Sequence, residues 1–97
     1  MNERIAYCID QELQNARHKF PMPNKTFRAL VEEVGELAKA MLDFDIAYQA
    51  EENLAAARLE VFSEAIQVAT MAIRVAEEGD SESTYSYSYE CYRDFGK

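Results

Sequence analysis

The chain has 97 residues, a net charge of −8, 48% apolar residues and only two cysteines, Cys8 and Cys91. That length supports one small domain, which buries only about two-thirds of its unfolded surface, so help from further copies is expected. The acidic balance argues against binding duplex nucleic acid, which needs clustered Lys and Arg, and no apolar run approaches the roughly 20 residues that span a bilayer.

The first predicted element is a helix over residues 2–20. Ile5, Cys8, Ile9, Leu13, Ala16 and Phe20 recur at three- and four-residue spacing, the period of a one-sided helix. Glu3, Asp10 and Glu12 interrupt any secretory leader. The cysteines form no CxxC or Cys/His cluster suited to zinc, and a reduced, cytoplasmic setting is the simpler expectation. "PMPN" ends the helix, because proline disfavours helix in the residue before it.

A second helix is predicted from Asn24 or Thr26, either of which can cap free N–H groups, to about Tyr48. Its main apolar stripe holds Phe27, Leu30, Val31, Val34, Leu37, Ala38 and Met41. After "QAEEN" a third helix runs from Leu54 to Glu78 and stops at Gly79. The tail from residue 81, "SESTYSYSYECYRDFGK", alternates Ser and Tyr without helical period. It reads as a flexible terminus, as an arm packing on a partner subunit, or as the source of a tyrosine that stacks on a base. The fold class is therefore all-α: one domain over residues 1–80, three long helices with or without a short fourth segment, completed by oligomerisation.

A helix turns about 100° per residue, which converts position into direction. Glu32 lies on the far side of the second helix with Arg28, Lys39 and Asp43, a solvent face of mixed charge. Glu33 and Glu36 share a flank with Ala29, Leu37, Ala40 and Phe44, which predicts partial cover. Neither has a lysine at i+4, the usual companion of a solvated glutamate on a helix. The third helix is apolar around most of its circumference except for one narrow stripe, Glu60, Glu64, Gln67, Arg74 and Glu78, with Met71 among them. A helix greasy on nearly all sides is buried on nearly all sides, and acids there are costly unless paired or coordinated. Two readings stand on spacing alone. Either these glutamates are surface charges, or Glu33, Glu36, Glu64 and Glu60 converge as an oxygen-rich site for Mg²⁺ or Mn²⁺.

"KFPMPNKTFRALVEEVGELAKAML" followed by "EVFSEAIQVATMAIRVAEEGD" resembles the MazG-like nucleotide pyrophosphohydrolases, of the all-α nucleoside triphosphate pyrophosphatase superfamily. That family carries ExxE on one helix and ExxD on the next; here Glu33 and Glu36 match the first and Glu64 the second. The resemblance covers roughly residues 17–80. It implies a homodimer or homotetramer that binds Mg²⁺ through these carboxylates. It also implies cleavage of nucleoside triphosphates to monophosphate and pyrophosphate, in house-cleaning of nucleotide pools.

On this reading Glu33, Glu36 and Glu64 are catalytic. They hold metal together with Gln67 and Glu60, while Lys19, Lys25, Arg28 and Arg74 are candidates for binding phosphate. A glutamate not fully engaged by metal orients or deprotonates the attacking water. Phe20 or a tail tyrosine is a candidate for contacting the base. Gln67 stands where the family pattern has Asp. Its oxygen can ligate Mg²⁺ without charge or bond a nearby water, and Glu60, one turn earlier, can restore the charge. The alternative reading is a non-catalytic helical oligomer of this kind that binds a nucleotide or a protein partner.

Overall fold

The structure, a computed structural model, describes residues 1–21 and 25–82. Within them lie three helices and no strand: α1, Glu3–Lys19; α2, Thr26–Gln49; α3, Ala55–Glu78. Residues 22–24 and 83–97 lie outside, and with them Asn24 as a cap, Cys91 and all three readings of the tyrosine-rich tail.

Local chemistry sets the ends of α1. The Asn2 side chain accepts from the N–H groups of Arg4 at 2.8 Å and Ile5 at 3.2 Å, two donors that a helix start leaves unpaired. Glu3 in the first turn and Arg17, His18 and Lys19 in the last complement the helix dipole. The start of α2 departs from the sequence expectation. Thr26 does not cap its own helix; its hydroxyl donates to the Gly79 carbonyl oxygen at 2.6 Å. The cap comes from beyond α3 instead, where Asp80 accepts from the Phe27 N–H at 3.1 Å.

At its far end α2 closes in a Schellman motif. Glu51 N–H donates to Tyr48 O at 3.1 Å and Glu52 N–H to Ala47 O at 3.0 Å, with Glu51 at φ 56° where glycine is usual. The Asn53 side chain then accepts from the Ala55 N–H at 2.9 Å, opening α3. Gly79, at φ 79°, ends α3 where the sequence predicts, its N–H reaching Val75 O at 3.0 Å.

Both α1 and α2 pack on α3, which lies between them. α2 runs antiparallel to α3, with Thr26 beside Gly79 at one end and Phe44 beneath the Arg58 guanidinium, 5.9 Å from the ring centroid, at the other. α1 meets α3 near its C-terminal end, where Arg17 pairs with Glu77 and Glu78. The core is thin: among the described residues only Ile9, Ala40 and Ile66 are buried apolar side chains.

The flank expected to be partly covered, Ala29, Leu37, Ala40 and Phe44 beside Glu33, is the one that meets α3, although Glu36 on it is exposed. The covered positions are Thr26, Ala29, Leu30, Glu33, Leu37, Ala40, Phe44 and Ala47, so the main apolar stripe is split: Leu30 and Leu37 are half-buried, while Phe27, Val31, Val34, Ala38 and Met41 are exposed. Small residues on the covered flank let the two helices approach closely, and so Glu33 is carried against α3.

Candidate metal centre

Glu33 and Glu36 project from α2 one turn apart, and antiparallel packing brings Glu64 of α3 opposite them. One carboxylate oxygen from each of the three lies within 4.8 Å of the others. Glu33 and Glu64 are half-buried and Glu36 is exposed, so the cluster is walled by helix on one side and open on the other. Oε2 of Glu33 and Oε2 of Glu64 are buried and have no hydrogen-bond partner among the described residues. A buried acceptor normally finds a donor, and one left alone carries the desolvation penalty in full.

The electrostatics point the same way. Burial, followed by the charges of Glu36 and Glu64, pushes the Glu33 carboxyl up to about 7. Burial raises Glu64 too, followed by its contacts with Glu36 and Glu60. Three carboxylates this close, two of them with orphaned oxygens, want a proton or a cation between them. Their donors are all hard oxygens on an open face, which suits a small divalent ion that keeps several waters, as Mg²⁺ does, or Mn²⁺. The residues therefore fit a divalent ion.

The other expected ligands are placed less directly. Glu60, one turn before Glu64, is exposed and contributes its charge at the edge of the cluster. Gln67 is half-buried and lines a cleft of about 830 Å³ that Glu33 also lines. This cleft lies between the C-terminal half of α1, the first turns of α2 and the second half of α3. Lys19, Lys25, Arg74 and Phe20 line it as well, so three of the four candidate phosphate cations and one candidate base contact share one cavity with Glu33.

Arg28 lies outside that lining and pairs with Glu82 at 3.0 Å on the surface. Arg74 reaches the cleft wall but is 3% exposed. Its guanidinium donates to Phe20 O at 2.6 Å, to Ala16 O at 3.4 Å, and to the Glu78 carboxylate at 2.8 and 3.0 Å. Those bonds satisfy the last carbonyls of α1 and use most of the guanidinium's donors.

Sequence reasoning did not single out Glu12, Asn15 and His18, which line the cleft from α1. Their signal is faint: they flank Ala16 on the edge of the α1 apolar stripe. It also missed Asp80, 8% exposed, whose carboxylate holds the start of α2 at the mouth of the cleft. An Asp directly after the helix-ending Gly79 is the only trace of that role in the sequence.

Compared with protein-family models, with curated proteins and with solved structures, the chain matches none. Among the described residues, no helix is long and apolar enough to cross a membrane.

Proposed function

We propose that this chain is a Mg²⁺-dependent nucleoside triphosphate pyrophosphohydrolase, acting as a cytoplasmic homo-oligomer, dimer or tetramer, in nucleotide-pool house-cleaning. One observation carries the reading: the Glu33–Glu36–Glu64 cluster, with two orphaned buried oxygens, sits beside a cleft that also presents Lys19 and Lys25. The sequence resemblance to the MazG-like enzymes supports it independently, since the same three positions carry the matched motif.

In this account Glu33, Glu36 and Glu64 hold the ion, with Gln67 and Glu60 as supporting ligands. Bound Mg²⁺ supplies neutralisation of phosphate charge and a lowered pKa for water beside it. Lys19 and Lys25 hold the phosphates from the cleft walls, while Arg28 and Arg74 act at longer range. A glutamate of the cluster that the ion does not fully engage is suited to orient the attacking water or take its proton. Hydrolysis of the α–β phosphoanhydride then gives a nucleoside monophosphate and pyrophosphate. An 830 Å³ cleft has room for the nucleoside beyond its phosphates.

A second reading has one observation in its favour. Gln67 is neutral where the motif carries an acid, which suits a relative that binds nucleotide without hydrolysing it. Incubation with a panel of ribo- and deoxyribonucleoside triphosphates and Mg²⁺, with pyrophosphate and orthophosphate measured separately, decides between them. The enzyme reading expects pyrophosphate that disappears with Glu36→Gln. Nucleotide-dependent stabilisation without turnover selects the binding-only relative, and neither turnover nor stabilisation rules out both.

A further inference from the structure

α2 carries two apolar stripes, and only one meets α3. Around the helix axis, Phe27, Val31, Val34, Met41, Leu42 and Ile46 form a second arc, between 48% and 59% exposed. Such an arc, wider than 100°, is the kind that a helix buries against a neighbour. Among the described residues nothing covers it, since α2 packs on α3 alone. The exposed part of those six side chains amounts to roughly 600 Å² per copy, and with a polar flank this reaches the ~800 Å² per partner of an ordinary stable interface.

The order of residues says what fits there. Beside the arc runs a charged flank, Arg28, Glu32, Lys39 and Asp43, alternating in sign. Arg28 and Asp43 stand equally far on either side of the Gly35–Glu36 peptide bond, and so do Glu32 and Lys39. Within half a residue of the same point, Val31 mirrors Met41 and Val34 mirrors Ala38. Two copies of α2 laid antiparallel about this centre bring Arg28 to Asp43 and Glu32 to Lys39 of the other copy, and they close apolar against apolar. A parallel pair would turn the two charged flanks to opposite sides.

Gly35 lies at this centre, in mid-helix, where glycine is a poor helix former. The space that a side chain would fill there is open, with no atom within 4 Å. A glycine at a helix crossing lets two backbones approach closely. Glu32, Lys39 and Asp43 make no ion pair among the described residues, which leaves them available for this pairing, while Arg28, paired with Glu82 at 3.0 Å, would share its guanidinium with Asp43 of the other copy.

We infer that a second copy of this chain docks on the outer face of α2, antiparallel, about a two-fold axis passing near Gly35 and Glu36. The interface is isologous and buries the arc from Phe27 to Ile46 against itself. It names the surface that the oligomer of the proposed enzyme uses, but it does not depend on the carboxylate site.

Sedimentation equilibrium of the full chain, without metal or nucleotide, tests it. Wild type is expected at twice the chain mass in the micromolar range. Glu32→Lys and Lys39→Glu should each weaken the dimer roughly tenfold by setting like charges opposite one another, and the double reversal should return it to within about threefold. Both positions are exposed, so folding, checked by circular dichroism, should be unchanged. A monomeric wild type, a dimer indifferent to the single reversals, or a double variant as weak as either single one overturns the inference. None of these results bears on pyrophosphate release.

Discussion

Glu33 is where sequence, packing and chemistry meet. Its folded carboxyl titrates near about 7, against an ordinary 4.5, so between those values the folded chain holds a proton that the unfolded chain has lost. Metal-free stability should therefore fall as pH rises through that window. Thermal melts of the chelated protein should show a falling Tm, Glu33→Gln should flatten the slope, and millimolar Mg²⁺ should reverse it for the wild type only. Glu64→Gln should lower kcat/KM by more than the roughly 10–100-fold that loss of an outer partner costs a metal site, read from pyrophosphate release at saturating Mg²⁺. Arg74 belongs to a different class of residue. Arg74→Met removes the guanidinium from the Phe20 and Ala16 carbonyls and leaves Glu78 with Arg17 alone, and should cost about 3 kcal/mol in chemical denaturation. Of the residues chosen from sequence, Glu33, Glu36 and Glu64 were legible because motif spacing and helical phase agreed. Arg74 was not, because its partners are backbone oxygens more than fifty residues away, as the Phe20 bond with a separation of 54 shows.

The helices themselves were readable almost to the residue, since periodicity, the proline pair and Gly79 punctuate them locally. Their facing was readable only in part: the alanine-lined flank of Glu33 was expected to be partly covered and is, but the main apolar stripe did not reveal that most of it faces outward. α2 has apolar residues on two sides, and hydrophobicity alone cannot say which side meets α3; the small residues Ala29 and Ala40 beside Glu33 decide it by permitting close approach. The cap of α2 was equally hidden, because Asp80 arrives from the far end of the chain. Asp80→Ala removes the acceptor for the Phe27 N–H and should cost roughly 1–2 kcal/mol, as loss of an N-cap does. Glu51 tests the opposite sign. It holds a left-handed conformation at φ 56° in the Schellman turn, so Glu51→Gly should stabilise the fold by roughly 0.5–1 kcal/mol in a urea melt.

For the whole molecule, the core is thin among the described residues and the outer arc of α2 is exposed, the surface that the inferred association would cover. The small-domain argument from length leads to the same expectation, and the exposed stripe gives that expectation a location. Tm should accordingly rise with protein concentration, as it does when folding and association are linked. The candidate site belongs to the same architecture, because α3 supports α1 and α2 as the two walls of one cleft and carries Glu64 to Glu33. Calorimetric titration of Mg²⁺ into the chelated protein near pH 6.5, repeated in buffers of different ionisation enthalpy, tests the central claim most directly. The account predicts saturable binding that releases protons, as the cation displaces the proton held by Glu33, and loss of both signals in Glu33→Gln and Glu64→Gln. Absence of binding into the millimolar range, or binding that both variants leave unchanged, would contradict it.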